Sequence, residues 1–420
     1  MLTSVVKSTL YRLGRLCFRQ ALRRATVGTL VALAIQGCSS ISTRKLDGGS
    51  SDRGPDAGLD SGADAGRSSL DASASSESGT GADSGAPSNA DASATDASAK
   101  GCGVPTTFEW SATGPIMSPM SDATHDLIAI KDPTVVFFNG LWNIYASTVG
   151  SGGNYNMAYL NFTDWSQAST APQYHMDQTP GFGGYHAAPQ LFYFTPQKLW
   201  YLVYQSGPPT YSTSADPTQP STWTAPANFF ASEPAIVMQN GGSLGWIDFW
   251  IICDTANCYL FFSDDNGHLY RSETAIGDFP AGFDTPIIAM EDSTPSRLFE
   301  ASNVYKMKGT GEYLLLVEAF DSSSAGRRYF RSWRADTLDG AWTSLQSEYA
   351  TPFASAANVT FTGTPWTVDI SHGEMLRDGY DETLEIDTCD LRYVYQGKDP
   401  SASESYNLLP WRLGLLTKTN

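Results

Sequence analysis

The sequence predicts an all-β domain of radially repeated blades, a β-propeller, over residues 101–420. Three observations support this fold class. Short β-rich runs alternate with tight turns, hairpins recur about every fifty to sixty residues, and convincing helical periodicity is missing from the whole segment. A chain of 420 residues could hold two or three domains, but a propeller uses such a length as one unit.

The individual strands are indicated by pairs of β-rich runs around Asn-Gly or a short polar loop, which is the usual signal for a hairpin. Such runs occupy residues 134–138 and 142–147, 190–194 and 199–205, 259–263 and 269–272, and 313–318 and 329–335, with a further strand at 391–396. The first pair is separated by Asn139-Gly140 and the third by an Asp-Asn-Gly turn.

The N-terminal segment has the composition of an export signal. Residues 1–37 contain six basic residues and no acidic one, and the apolar run 27–35 is too short to span a membrane. The run ends at Cys38, in a context that resembles a bacterial lipobox, so we expect a signal peptide at 1–38 with acylation of Cys38. An ordinary signal peptide cut nearby and a folded amphipathic helix are the alternatives.

Residues 39–100 are mostly Ser, Ala, Asp and Gly, with no aromatic residue. Such a segment cannot bury enough surface to offset the entropy of ordering, so it predicts a flexible acidic linker. The protein is therefore expected outside the cytoplasm, either secreted or held at a bacterial outer membrane through its lipid.

The domain 101–420 is acidic, with 15 Lys and Arg against 34 Asp and Glu. A surface of this sign repels phosphate backbones, so nucleic acid is excluded as an expected partner. The domain contains four cysteines, Cys102, Cys253, Cys258 and Cys389, an even number that suits an oxidising compartment. Joining Cys102 to Cys389 would close a large loop, and Cys253 and Cys258 could close a local one. A zinc-thiolate site would need tighter ligand spacing.

Three acidic residues stand out because each lies beside strongly apolar sequence. They are Asp132 in AIKDPTVVF, Asp248 in GWIDFWII and Glu300 in RLFEASNVY. A buried charge is costly unless it is paired, so these acids are either held in ion pairs or functional. Hydrolysis of a glycosidic bond is the reaction that most naturally uses such a set, because one acid protonates the leaving oxygen while another carboxylate activates water.

A family resemblance is carried by motifs spread over nearly the whole domain. These are FEWSATGPI at 108, KDPTVVFFNG at 131, YASTVG at 145, FTDWS at 162, APQLFYF at 188, YLFFSDDNGHLYR at 259, IGDFP at 276, LFEASNVYK at 298, RYFRSW at 328, DISHGE at 369, LRYVYQGKDP at 391 and LLPWRLGLLT at 408. The domain resembles the glycoside hydrolase family 62 α-L-arabinofuranosidases, whose fold is similar to that of the family 43 enzymes. The resemblance implies a five-bladed β-propeller that removes terminal arabinofuranosyl side groups from arabinoxylan with inversion of configuration.

The resemblance also implies roles for individual residues. Asp132 matches the general base and Glu300 the general acid, while Asp248 matches a third carboxylate that keeps the acid protonated and oriented. Inversion requires the two catalytic carboxyl groups to lie roughly 6.5 to 9.5 Å apart. Lys131 is expected in the arabinose pocket, with a solvated surface lysine as the alternative.

Further expectations concern the rim and a metal. Tyr406 and Asn407 resemble residues at the pocket rim that meet the xylan chain, although an aromatic residue at a rim is often only packing. His372 in DISHGE resembles the single histidine ligand of a structural calcium ion, and a satisfied core histidine is its alternative. No organic cofactor and a monomeric state are expected.

The sequence departs from the family pattern at a few positions. Family members commonly have an aromatic residue where this chain has Ser206, and loss of a stacking surface would weaken sugar binding by about 1 kcal/mol or more. The stretch 173–186, with Tyr185 and His186, is a candidate replacement. The pair Cys253 and Cys258 and the neighbouring Trp250 are also unusual.

Two alternatives remain open at the level of sequence. One is a non-catalytic carbohydrate-binding propeller, and the other is a family 43 type xylosidase or arabinanase. The presence of all three acids argues against the first. The preferred linkage, O-2 or O-3, and activity on arabinan are not determined by the sequence.

Overall fold

The computed structural model describes residues 102–242, 245–322 and 326–420. The predicted signal segment 1–38 with Cys38 and the predicted linker 39–100 lie outside these described residues. The first strand of the described chain joins the last sheet, and the first three blades follow in chain order. That first strand is β1 (Trp110–Ala112). The first blade contains β2 (Leu127–Phe138), β3 (Leu141–Gly150), β4 (Tyr155–Phe162) and β5 (Tyr174–His175), and the second contains β6 (Ala187–Phe194), β7 (Leu199–Gln205), β8 (Pro209–Ser214) and β9 (Ala227–Asn228). The third contains β10 (Ile247–Cys253), β11 (Asn257–Ser263), β12 (His268–Ala275) and β13 (Ile287–Glu291).

The fourth blade and the closing blade complete the ring. Their strands are β14 (Glu300–Met307), β15 (Tyr313–Phe320), β16 (Arg328–Ala335), β17 (Thr343–Glu348) and β18 (Thr351–Pro352), then β19 (Val359–Phe361), β20 (Ser371–Met375), β21 (Glu385–Ile386), β22 (Arg392–Gly397) and β23 (Arg412–Lys418). Strand β21 pairs in parallel with the end of β14. In the closing sheet the order is β19-β1-β23-β22-β20, so strands from the two ends of the domain share one blade. The predicted five-bladed β-propeller is confirmed.

Helical structure in the described residues is short. It consists of α1 (Ala235–Asn240) and the 3₁₀ helices Trp165–Thr170, Met176–Gln178, Pro220–Thr222, Pro295–Arg297 and Tyr406–Leu408. None of the helices in the described part of the chain is long and apolar enough to cross a membrane.

Local sequence explains the hairpins. Asn139 and Gly140 both have positive φ, 53° and 76°, and join Phe138 of β2 to Leu141 of β3. Positive φ at both turn residues is the geometry of a type I′ turn, whose twist matches that of the flanking strands. The Asn-Gly signal in the sequence therefore has its expected structural consequence.

The innermost strands β2, β6, β10, β14 and β20 surround the propeller axis, and a side chain crosses each of the five junctions between them. The crossing hydrogen bonds are Leu191 N to Thr134 Oγ1 (2.9 Å), Gln190 with Ile251 N and O (both 2.7 Å), Trp250 Nε1 to Val304 O (2.9 Å), Met375 N to Tyr305 Oη (3.0 Å) and Val135 N to Glu374 Oε2 (3.1 Å). Trp250, unusual in the sequence, therefore links two blades. These bonds hold the inner strands in a fixed register, which positions whatever side chains project from them.

Both disulfides considered from the sequence are present. Cys102 pairs with Cys389 across 287 residues, and Cys253 pairs with Cys258 across the β10–β11 turn. Disulfides persist in oxidising compartments, so these bonds are typical of an extracellular protein.

Candidate active site

A bulge interrupts each of the five inner strands at the same end of the propeller. The register with the second strand shifts between Lys131 and Thr134, Ala187 and Gln190, Ile247 and Trp250, Glu300 and Asn303, and Ser371 and Gly373. We call the last paired residue before each shift the first bulge position, and the residue after it the second. Lys131 and Glu300 occupy the first position of their blades, whereas Asp132, Asp248 and His372 occupy the second. Bulges redirect side chains and recur next to active sites.

Backbone strain accompanies the bulges. Asp132 and Asp248 have positive φ values of 47° and 57°, and Ala188 and Ala301 have the same conformation at the second position of two further blades. A non-glycine residue in this region costs on the order of 1 kcal/mol or more, and such strain persists only where the surrounding structure enforces it. The strain turns the side chains of Asp132 and Asp248 toward the mouth of the axial channel.

The amide of each second-position residue is held by a side chain of the preceding blade. Asp132 N donates to Gln396 Oε1 (2.8 Å), Ala188 N to Ser147 Oγ (2.8 Å), Asp248 N to Gln205 Oε1 (3.1 Å) and His372 N to Glu318 Oε2 (2.7 Å). The four acceptors occupy equivalent positions in their own blades. Each lies on the second strand of its blade and pairs with the first-position residue on the inner strand. None of the four was identified from the sequence, although each lies at the end of a predicted strand.

The fourth blade departs from this pattern. Ala301 N donates to Asp248 Oδ2 at 2.9 Å instead of to Ser263, which holds the equivalent position on β11. The carboxylate of Asp248 therefore fixes the backbone at the residue that follows Glu300. Burial raises the pKa of Asp248 to about 7, because the opposing charge of His372 is offset by the carboxylates of Glu300 and Asp132.

Lys131 and Asp132 lie together with Tyr406. Lys131 Nζ is 3.5 Å from Asp132 Oδ1 and donates a hydrogen bond of 3.1 Å to Tyr406 Oη. Burial alone would lower the pKa of Lys131, but Asp132 and, to a smaller extent, Tyr406, Tyr155 and Glu300 together outweigh it, so the net shift is upward and the ammonium group stays charged. Lys131 is only 4% exposed, so the alternative of a solvated surface lysine is wrong.

His372 lies between two of the three acids. Its Nδ1 is 3.4 Å from Asp132 Oδ1 and 3.6 Å from Asp248 Oδ2. Burial lowers the pKa of His372, but the carboxylates of Asp248 and Asp132 reverse this effect and raise it above its usual value. The imidazole is thus placed where positive charge balances the acids.

Glu300 contacts a buried arginine. Arg328 Nη1 donates to Glu300 Oε1 and also to Glu318 Oε1, and its guanidinium lies 4.7 Å from the centroid of the Phe320 ring. Glu318 is fully buried and also accepts hydrogen bonds from Ser371 Oγ and His372 N, so it balances the charge of the arginine. Neither Arg328 nor Glu318 was identified from the sequence.

A further carboxyl group, Asp265, adjoins Glu300 and was also not identified from the sequence. It lies in the β11–β12 turn with φ of 57°, and its side chain hydrogen-bonds to Glu300. Burial, followed by the charges of Glu300 and Asp248, raises the pKa of Asp265 to about 9, so this carboxyl is neutral at neutral pH. In the sequence it belongs to the segment Asp264 to Gly267, whose composition indicates only a turn.

The rim of the site is aromatic. Tyr155 Oη donates to Asn407 Oδ1 at 3.4 Å, and the rings of Tyr155 and Tyr185 lie 6.0 Å apart. Tyr185 is 46% exposed, and its hydroxyl accepts a hydrogen bond from Gln205, the residue that also holds Asp248 N. The structure thus brings Tyr185 to the rim near the position of Ser206, through its contact with Gln205.

His186, the other candidate in that stretch, is directed into the protein. Its ring is buried and lies 5.4 Å from Phe182 and 5.2 Å from Tyr204. Of the two residues considered as replacements for the missing aromatic, only Tyr185 presents an exposed ring.

A group that could hold a metal ion lies elsewhere in the described residues. It consists of Asp122, His125 and His175, whose ligand atoms all lie within 4.8 Å of one another. From the sequence, only His372 was predicted as a metal ligand, and this group was not identified.

The mouth of the propeller therefore combines three carboxyl groups, one each on β2, β10 and β14, with three basic side chains, Lys131, His372 and Arg328. Such an arrangement can deliver a proton to one side of a bound sugar and remove a proton from water on another. All residues predicted for the pocket and its rim lie in this one region.

Comparisons with known proteins agree with this geometry. Residues 109–417 match the family model described as glycosyl hydrolase family 62. The chain is 41% identical over 318 residues to alpha-L-arabinofuranosidase C of Cellvibrio japonicus (strain Ueda107), which covers 75% of this chain and 48% of that protein. The chain thus matches about half the length of this curated relative.

Solved structures extend the comparison. The catalytic domain of a family 62 α-L-arabinofuranosidase from Coprinopsis cinerea is 53% identical, with a TM-score of 0.73, and the match covers 75% of this chain and 98% of that one. A family 62 hydrolase solved in complex with xylotriose is 47% identical, with a TM-score of 0.71, and the match covers 74% of this chain and 98% of that one.

Proposed function

The chain belongs to glycosyl hydrolase family 62, and we propose that it removes terminal α-L-arabinofuranosyl side groups from arabinoxylan with inversion of configuration. One observation supports the proposal above others. Asp132, Asp248 and Glu300 project from equivalent bulges of three inner strands toward one mouth, with the cations Lys131, His372 and Arg328 beside them. The similarity to characterised arabinofuranosidases names the sugar.

Asp132 is assigned the role of general base. Its carboxylate takes a proton from water as the water oxygen attacks the anomeric carbon of arabinose. Gln396 fixes its amide, and Lys131 and His372 approach the same oxygen, Oδ1, at 3.5 and 3.4 Å. Oδ2 is thereby left for the water.

Glu300 is assigned the role of general acid. It gives its proton to the oxygen that links arabinose to xylose as the bond between that oxygen and the anomeric carbon breaks. Asp248 holds the amide that follows Glu300, and Asp265 contributes a neutral carboxyl group next to it. Arg328 fixes the position of Glu300, and its charge is balanced by Glu318.

The aromatic rim is assigned to the polymer. Tyr155, Tyr185 and Tyr406 surround the entrance, and Asn407 adds an amide. Tyrosine rings stack on sugar faces while their hydroxyls hydrogen-bond, which suits a xylan chain from which only the side group enters the pocket. A relative binds xylotriose, a fragment of that backbone.

Product analysis tests the proposal directly. Wheat arabinoxylan and 1,5-arabinan are incubated with the enzyme, and proton NMR follows the anomeric signal of free arabinose before mutarotation. We expect arabinose from arabinoxylan, appearing first as the β-anomer. Release of xylose, release from arabinan alone or initial appearance of the α-anomer would contradict the substrate or the stereochemistry, and binding without release would favour a carbohydrate-binding propeller.

The Glu300→Gln variant tests the acid role. It should lose activity on arabinoxylan by roughly 10²–10⁴-fold, yet retain relatively more on an aryl arabinofuranoside whose leaving group needs no proton. Equal losses on both substrates would count against this role.

We also propose His372 as the nitrogen ligand of a calcium ion. The donors near its ring fit, because carboxylate oxygens of Asp132 and Asp248 lie 3.4 and 3.6 Å from Nδ1 and calcium prefers oxygen ligands. A bound ion would supply positive charge beneath the two acids in place of the imidazolium proton. Calcium titration by calorimetry should show a site in the wild type that the His372→Ala variant lacks, and equal binding by both would exclude this ligand.

For the location of the enzyme, we propose a lipid anchor at Cys38 followed by the tether 39–100. A flexible chain of this length spans very roughly 40 Å, which lets a membrane-held domain reach an insoluble polymer. In cell fractionation the wild type should be found with membranes and the Cys38→Ser variant in the soluble fraction. An identical distribution of both would show that no lipid anchor exists.

A further inference from the structure

A second cluster of functional side chains lies at the outer edge of the first blade. Asp122 and His125 belong to the segment before β2, whereas His175 ends β5 and Asp177 lies in the 3₁₀ helix Met176–Gln178. We call these four residues the blade-edge group. None of them takes part in the pocket described above.

The first half of the group is arranged by a local turn. Asp122 Oδ1 accepts hydrogen bonds from Thr124 N at 2.7 Å and His125 N at 2.8 Å. The same oxygen lies 2.8 Å from His125 Nδ1. The turn therefore presents one carboxylate and one imidazole nitrogen side by side.

The far nitrogen of His125 is held by a different carboxylate. His125 Nε2 lies 3.1 Å from both oxygens of Asp177. Metal-bound histidines commonly donate their second ring N–H to a carboxylate, which fixes the tautomer and directs the other nitrogen at the ion. Asp177 is placed to do this for His125, leaving Nδ1 as the ligand.

His175 supplies a second imidazole. The residue is buried, with 5% of its surface exposed. Its Nε2 faces Asp122 Oδ2 at 3.5 Å, and its ring lies 3.9 Å from that of His125. Two stacked imidazoles therefore face the two oxygens of one carboxylate, His125 Nδ1 at Oδ1 and His175 Nε2 at Oδ2.

We propose that the blade-edge group binds a zinc ion through Asp122, His125 Nδ1 and His175 Nε2, with Asp177 orienting His125. Two imidazole nitrogens and one carboxylate suit zinc, whereas calcium and magnesium prefer oxygen ligands alone. The separations of the ligand atoms, all within 4.8 Å, allow one ion to reach all three with small side-chain rotations. Water completes the coordination.

The ion would join two segments that are distant in sequence. The segment before β2 already contacts the segment around β5, because Gln173 accepts a hydrogen bond from Met120 N and donates one to Ser118 O. Zinc at the blade-edge group would add coordination bonds between these two segments, at the start of the stretch 173–186, which carries Tyr185 at the rim. The expected role is structural support of the first blade.

The experiment uses the full chain with an affinity tag that contains no histidine, freed of metal by chelation. Zinc chloride alone is titrated by calorimetry, and thermal unfolding is recorded with and without zinc. The variants are His175→Gln and Asp177→Asn. The matched control is His268→Gln, which removes a histidine that is 2.7 Å from Asp264 but has no second histidine beside it.

The wild type should bind one zinc ion that His175→Gln does not bind, and zinc should raise the unfolding temperature of the wild type but not of this variant. Asp177→Asn should weaken binding by about 10- to 100-fold, and His268→Gln should leave it unchanged. Because Asp177 is exposed, that variant keeps the test valid if His175→Gln folds poorly. Zinc binding that is absent in the wild type, or equal in all variants, would overturn the proposal, as would binding of calcium but not zinc.

Discussion

Two clusters of buried charge lie close together on the axis of this propeller, and they are built differently. At the mouth, Asp132, Asp248 and Glu300 are 5 to 9% exposed and project from bulges. Deeper in the channel, Glu374 and Arg377 form an ion pair of 2.8 Å with both side chains fully buried. Arg377, in the second cluster, lies only five positions after His372, in the first.

The partners of the two clusters differ as well. Arg377 Nη2 donates to the carbonyl oxygens of Val135 and Leu191, and Glu374 accepts from Val135 N, so the deep pair is bound to the backbone of two other blades. At the mouth, the backbone of each acid is held while its carboxylate faces other ionisable side chains and the opening. The ion pair of Glu374 and Arg377 is enclosed by protein on all sides, as expected for a structural role. The acids at the mouth keep one side open to solvent, as expected for groups that take part in chemistry.

The largest effect is expected for the Asp132→Asn variant. Asparagine tolerates the positive φ at this position, so the fold should persist while the proton acceptor is lost. We expect arabinose release from arabinoxylan to fall by about 10³-fold or more, measured as kcat/KM, while cooperative thermal unfolding shows that the variant is still folded. The exposed neighbour Asp126 offers a control, since Asp126→Asn should leave kcat/KM unchanged. Near wild-type turnover in Asp132→Asn would remove Asp132 from the mechanism.

Removing one partner of the deep pair should affect stability instead. In Arg377→Met the carboxylate of Glu374 stays buried without its counter-charge, which typically costs about 3–5 kcal/mol in the free energy of unfolding. Urea unfolding measures this free energy, and the double variant Arg377→Met with Glu374→Gln should recover part of the lost stability. The control Arg334→Met removes an arginine from a largely exposed pair with Glu312, where a loss below about 1 kcal/mol is expected. Similar losses in both variants would contradict the distinction between the clusters.

Asp248 should make the mouth cluster a source of pH-dependent instability. Its pKa is raised to about 7, so the folded protein binds more protons than the unfolded chain between pH 4 and 7. The free energy of unfolding therefore falls as pH rises through that window, and the loss due to Asp248 is complete above pH 7.

The Asp248→Asn variant should consequently be more stable than the wild type at pH 8, by up to roughly 4 kcal/mol, and similar to it at pH 4. This upper limit corresponds to a shift of about three pKa units, which already contains the attraction between Asp248 and His372. Urea unfolding at the two pH values provides the measurement. A wild type that is more stable at pH 8 would reverse the inferred sign.

The smallest effect is expected at the rim. Tyr185→Ala should raise KM for arabinoxylan about fivefold, equivalent to about 1 kcal/mol of lost stacking, with little change in kcat on a small aryl arabinofuranoside. Tyr185→Phe keeps the ring and loses only the hydrogen bond from Gln205, so its KM should stay near that of the wild type. If both variants raise KM equally, the hydroxyl and not the ring contributes to binding.

Much of the fold could be predicted because its signals are local. The Asn139-Gly140 turn, the paired β-rich runs and the cysteines each depend on a few neighbouring residues, and the structure contains the hairpins and both disulfides. The same holds for the mouth acids, since a charged residue inside an apolar run is visible in one dimension. Their assigned catalytic roles remain predictions.

What the sequence determined by itself was therefore the strand pattern, the fold class and which acids are unusual. Tertiary structure alone decided their partners: Gln396 reaches Asp132 across 264 residues, Asp248 and Ala301 come from different blades, and Arg328 and Asp265 meet Glu300 from separate hairpins. The same is true of His125 and His175. The physical reason is ring closure, because a contact between blades depends on the curvature and register of all the strands between them, and no short stretch of sequence specifies that geometry.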